Sequence, residues 1–115
     1  MKKKFLIREA SQEDLHFAQN IVDEIASSAK IRGTGIAKRS PQYICQKMME
    51  GKAVVAQTQE GEWAGFCYIE AWGHGHFVAN SGLIVNSQFR GQGLAKEIKY
   101  ATFQLSRKKF PKAKI

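Results

Sequence analysis

Apolar positions recur with two periods along this chain, and the changes of period mark out its elements. Phe5-Leu6-Ile7-Arg8 predicts a short first strand. Ser11-Gln12-Glu13-Asp14 has the form of a capping box, with side-chain oxygens placed for the free amides of a helix start. Leu15, Ala18, Val22, Ile25 and Ala29 then follow at steps of three and four, which gives one apolar helical face. Gly33-Thr34-Gly35 breaks that helix. Ser40 as N-cap and Pro41 at the first helical position announce a second, with Ile44 and Met48 inward and Gly51 as its stop.

The period then shortens. Ala53-Val54-Val55-Ala56 is an apolar run of strand length, and Glu60-Gly61 turns it into Trp63-Ala64-Gly65-Phe66-Cys67-Tyr68-Ile69. Gly73-His74-Gly75 makes the next turn, and a strand runs from His76 through Leu83-Ile84-Val85 with a bulge near Gly82. A last helix starts near Gly91 and carries Leu94, Ile98, Ala101 and Leu105 on one stripe. Lys112-Ala113-Lys114-Ile115 reads as the opening of a further strand. The order β-α-α-β-β-β-α predicts an α+β fold, a mostly antiparallel sheet flanked by helices. Residues 1–115 read as a single domain that stops before a fifth strand. A sheet ending there exposes a strand edge, and the expected consequence is association into a homodimer through that edge.

Composition narrows the partners. The formal net charge is +8, and no acidic residue follows Glu97, whereas Lys99, Arg107, Lys108, Lys109, Lys112 and Lys114 do. That balance favours an anionic partner or, more plainly, a solvated basic surface. Nucleic-acid binding has only this net charge in its favour, since no aromatic–basic stacking pattern accompanies it. No apolar run approaches a bilayer span, and Phe5-Leu6-Ile7 is broken by Arg8-Glu9 before it could serve as a signal peptide. The expectation is a cytoplasmic protein without membrane partners. Cys45 and Cys67 lack CxxC spacing and read as buried, reduced thiols.

The chemistry is concentrated in Leu83-Ile84-Val85-Asn86-Ser87-Gln88-Phe89-Arg90-Gly91-Gln92-Gly93-Leu94-Ala95. An apolar strand ends, a polar turn follows, and a helix opens on glycines. Free amides and the helix dipole at such a start hold an anion. Gly91 and Gly93 remove the Cβ atoms that would keep a phosphate away, and Arg90 adds a fixed charge. No lysine follows the glycines at Walker spacing, and Lys96 stands where the third glycine of GxGxxG would be. Gly-x-Gly also serves ordinary tight turns.

Gln88-Phe89-Arg90-Gly91-Gln92-Gly93 matches the Q/R-x-x-G-x-G/A signature of the GCN5-related N-acetyltransferases, and Val85–Ala95 resembles their wider V-x-P-x-x-R-G-x-G-x-G form. Ser87 replaces the usual proline, and Ala95 stands where glycine is common. The resemblance covers about two-thirds of such a catalytic domain and implies an N-acyltransferase that moves an acyl group from acetyl-CoA, or another acyl-CoA, to an amine. It implies that the backbone at Ile84 and Val85 pairs with the pantetheine arm. It further implies that the amides of Arg90, Gly91, Gln92, Gly93, Leu94 and Ala95 cradle the pyrophosphate. The missing fifth strand leaves a second reading open, a non-catalytic acyl-CoA-binding or regulatory module.

An attacking amine must lose a proton, and Glu70, His74 and His76 stand near the ends of the central strands where such a base is expected. Glu70 is the first candidate, although a surface glutamate is the commoner occupant of a strand end. His74-Gly75-His76 offers two ligands without an evident third, so no metal is expected. In the basic loop between the first two helices, Arg32, Lys38 and Arg39 suit a carboxylate clamp, pointing to an acidic amino acid such as glutamate as acceptor. A solvated basic loop explains them equally well.

Overall fold

The computed structural model describes residues 4–32, 40–73 and 75–113. Four antiparallel strands form one sheet in chain order: β1 (Phe5–Glu9), β2 (Ala53–Thr58), β3 (Trp63–Trp72) and β4 (Phe77–Val85). Helices α1 (Ala18–Arg32) and α2 (Pro41–Met49) cover one face, and α3 (Leu94–Lys109) covers the other. The predicted α+β order is the observed one.

The apolar run in β2 follows from this layering. Val55 joins Phe66, Tyr68, Ile21, Ile44 and Met48 beneath α1 and α2, while Val54 and Ala56 join Ala64, Cys67, Leu94 and Ile98 beneath α3. A strand covered on both faces loses the alternation of polar and apolar residues. Each large side chain fully buried here contributes about 1.5–3 kcal/mol. The α1 stripe read from the sequence omits Ile21 and Phe17, both buried.

Local signals hold with small shifts. Ser11 and Asp14 form the capping box, but the first turn is a 3-10 helix (Gln12–Phe17) that passes into α1. Ser40 caps α2, with Pro41 at its start, and Gly51 follows the cap residue Glu50 in a left-handed conformation. Helix α3 begins at Leu94, three residues after the expected Gly91. Pro111–Ala113 form a turn, with Ala113 packed on Ile69 and Val78, where the opening of a strand is expected. Lys114 and Ile115 lie outside the described residues. Cys67 is buried but Cys45 only partly so, and neither is in a disulfide. Burial pushes the Cys67 thiol above its ordinary value, which keeps it protonated and unreactive.

The bulge expected near Gly82 is present. Phe66 pairs with Ile84 and Tyr68 with Ser81, so Gly82 and Leu83 together oppose Cys67. Gly82 has φ +63°, and a Cβ there would collide with the Tyr68 ring. Only glycine accommodates both the backbone and the ring.

A half-buried ion pair joins the first strand to the helical layer. Asp14, 1% exposed, accepts from both terminal nitrogens of Arg8 at 2.6 and 2.7 Å and from the Ser11 amide at 2.9 Å. Arg8 also donates to Gln57 of β2 at 2.7 Å. Burial alone would push the Asp14 carboxyl up; the bonds from Arg8 and Ser11 outweigh it and hold the group below its ordinary value. Asp14→Ala lets the part-exposed Arg8 turn to water but leaves the Ser11 amide without its acceptor and removes two charge-assisted bonds, so it is expected to cost about 2 kcal/mol. A urea midpoint within error of wild type would refute this. The depressed value also sets the sign with pH: the contribution is complete above about pH 4 and lost as acid titrates the folded carboxyl.

Candidate functional site

The turn between β4 and α3 is held from behind. The Asn86 amide donates to Ala64 O at 2.8 Å, its side chain donates to Trp63 O at 2.9 Å, and its Oδ1 accepts from the Gln88 amide at 3.1 Å. Phe89 closes a short 3-10 turn (Ser87–Phe89), is buried with Leu94, and meets the Phe5 ring edge-on at 5.6 Å. Anchored at Asn86 and Phe89, the chain presents Gly91 and Gly93 outward at φ +81° and +78°.

Both glycines face open space: a Cβ built on either meets nothing within 4 Å. Gly93 is the N-cap of α3 and supplies no side-chain cap. The first amides of α3 thus receive no bond from a capping side chain of Gly93, and the positive end of the helix dipole lies at this point. An open groove of about 560 Å³ adjoins them, lined by Lys4, Phe5, Leu6, Gln59, Gln92, Gly93 and Glu97. Glu97 complements the helix dipole, although its charge opposes an anion in the groove. Leu94 is buried and Ala95 exposed, so both can address a ligand here through their backbone.

Arg90 is 47% exposed and is engaged within the protein. Its Nε lies 3.4 Å from Val85 O, and one terminal nitrogen lies 3.4 Å from Glu24 Oε2 of α1. Among the described residues β4 has a strand neighbour on one side only. Asn86 bonds to Ala64 across the ladder, so Val85, one residue earlier, turns its amide and carbonyl to the open side. Ile84, opposite Phe66, turns its own toward β3. Of the two residues expected to pair with an extended ligand, only Val85 turns its backbone to the open edge, where Arg90 Nε already approaches its carbonyl.

Glu70 lies on β3 opposite Ala79, on the face covered by α1 and α2. Its Oε1 accepts from the Tyr43 hydroxyl of α2 at 2.5 Å. That bond, with burial behind it, pushes the Tyr43 phenol far above its ordinary value, so it stays protonated as a donor. The Tyr43 ring packs edge-on against buried Tyr68 at 5.7 Å, and Lys47 Nζ lies 5.5 and 5.6 Å from the two ring centroids. Tyr68 in turn fills the space at Gly82. Glu70 is thus connected through two tyrosines to the bulge in the open strand. Sequence reasoning missed Tyr43; its signal is a tyrosine one position before Ile44 on the inward side of a well-capped helix.

His76 is exposed at the head of β4, and His74 lies outside the described residues. No cluster of metal-binding side chains occurs among the described residues. Arg32 closes α1, while Lys38 and Arg39 lie outside the described residues. No helix among the described residues is long and apolar enough to cross a membrane.

No protein-family model matches the sequence, and no curated protein matches it. Solved structures do. A GNAT-family acetyltransferase from Listeria monocytogenes superposes with a TM-score of 0.73 at 19% identity, over 91% of this chain and 71% of that one. N-acetylglutamate synthase from Neisseria gonorrhoeae, complexed with coenzyme A and N-acetyl-glutamate, gives 0.71 at 14% identity over 94% of this chain. Diaminobutyrate acetyltransferase from Paenibacillus lautus, in complex with L-2,4-diaminobutyric acid and coenzyme A, gives 0.65 at 18% over 88%. The chain spans 24% of the synthase and 57% of the diaminobutyrate enzyme. These likenesses establish the fold: a partial form of the one shared by the GCN5-related N-acetyltransferases.

Proposed function

We propose that this chain is the acyl-CoA-binding part of a GCN5-related N-acyltransferase, which passes an acyl group from acetyl-CoA or another acyl-CoA to an amine. The observation that carries the reading is a continuous path on one edge of the molecule. The open side of β4 carries the Val85 backbone, and the strand leads into a turn whose two left-handed glycines leave open space beside the start of α3. A diphosphate accepts several amide bonds at such a helix start, and each bond to a charged group contributes about 1.5–3 kcal/mol. An extended arm can pair with Val85 as a further strand would.

In this reading the acceptor amine attacks the thioester carbonyl directly, its proton passes to Glu70 through water, and the thiolate leaves on the donor. Tyr43 fixes the Glu70 carboxylate through the bond to Oε1. The acceptor is an acidic amino acid such as glutamate, its carboxylates held by Arg32, Lys38 and Arg39. That the Neisseria enzyme binds N-acetyl-glutamate supports an amino-acid acceptor. The edge of β4 before the bulge, Phe77–Ser81, pairs with a second copy, which completes the sheet without covering Val85. The cytoplasm is the compartment in which the free thiols persist.

Titration of the chain with coenzyme A in a calorimeter, followed by thiol release from acetyl-CoA with glutamate, tests the proposal. Binding with release supports the enzyme, and binding without release from any amine supports the regulatory module. No binding at millimolar coenzyme A rejects both.

A further inference from the structure

Glu24 of α1 reaches across to the β4–α3 turn in two places. Its Oε1 accepts from the Ser87 amide at 3.0 Å, and its Oε2 lies 3.4 Å from the Arg90 guanidinium. Its side chain is only 14% exposed, so the carboxylate is largely enclosed by the elements it joins. Arg90 is steered on a second side by Val85 O. The turn is therefore fixed at both ends of its polar segment: at Ser87, where the strand has just ended, and at Arg90, immediately before Gly91.

We infer that Glu24 is a positioning residue that latches the phosphate-binding turn onto α1 before any ligand arrives. The inference rests on the reading of that turn as the donor's seat. Gly91 and Gly93 leave the turn many backbone conformations, and a ligand bound by amides must select the one in which they converge. Asn86 and Phe89 anchor the turn to the sheet and core. Glu24 supplies a further constraint, from α1. A carboxylate so close to Arg90 would be a poor choice if that arginine served mainly as a free charge for phosphate. As an orienting partner it makes sense, because the guanidinium is held in place while the amides do the binding.

The test uses the intact chain and three forms: wild type, Glu24→Ala and Glu24→Gln. Coenzyme A affinity is measured by calorimetry, and amide hydrogen exchange is followed without ligand over peptides covering residues 85–93. Glu24→Ala is expected to weaken coenzyme A about tenfold and to accelerate exchange in that segment alone, leaving β2 and α3 protected as in wild type. Glu24→Gln keeps an acceptor for the Ser87 amide and is expected to recover most of both effects. Unchanged exchange of the turn in Glu24→Ala would overturn the inference, as would unchanged affinity beside a wild type that binds. Should wild type itself fail to bind coenzyme A, the donor reading fails separately, and the exchange data alone decide whether the latch exists.

Discussion

Gly93→Val is expected to weaken coenzyme A binding by about 1000-fold while leaving a folded protein. In the free chain a Cβ at Gly93 meets nothing within 4 Å, so the core has no reason to rearrange. The stability cost is confined to placing a branched residue at φ +78°, about 1–2 kcal/mol. If a diphosphate is seated at the head of α3 as proposed, the added methyl groups occupy open space beside it that the ligand would need. Losing two charge-assisted bonds of about 1.5–3 kcal/mol each accounts for the predicted loss. Calorimetry gives the affinity and circular dichroism the fold. A well-folded Gly93→Val that binds coenzyme A as wild type does would remove the amide seat from the account.

The second large effect concerns Glu70. If its carboxylate takes the proton of the attacking amine, Glu70→Gln should lower kcat/KM about 100- to 1000-fold, within the usual range for a lost general base. Coenzyme A affinity should not change, because Glu70 is on the α1–α2 side of the sheet opposite Ala79, whereas the glycines follow the other end of β4, beyond Val85. Tyr43→Phe removes the donor that fixes the carboxylate and is expected to cost about tenfold, the scale of one hydrogen bond to a charged group. Steady-state kinetics with a panel of amines measures both. Full activity in Glu70→Gln would make the Tyr43–Glu70 bond a purely architectural tie between α2 and β3.

What could be read in advance was local. Ser11 with Asp14, Ser40 with Pro41, and the turn at Gly61 each settle their geometry within a few residues, and each stands where the pattern puts it. The bulge was legible because a glycine interrupts an apolar strand, although its cause, the Tyr68 ring, is on the neighbouring strand. Two glycines resemble a helix opening, so the pattern puts the start of α3 three residues early; with both in the left-handed region, they precede the helix instead. The ties across the fold were not legible. Tyr43 and Glu70 are 27 positions apart, and Glu24 and Ser87 are 63 apart. Neither Tyr43 nor Glu24 belongs to a motif, and only the packing of α1 and α2 on the sheet brings them to their partners.

Peptide nitrogens differ from lysines and histidines in having nothing to titrate and nothing to acylate. A protein proposed to handle an activated thioester exposes its own amines to that reagent, and Lys96 and Lys99 stand exposed within two turns of Gly93. A binding surface made of backbone at the head of α3 survives such self-modification chemically intact. It also keeps the same donor strength from mildly acidic to alkaline solution.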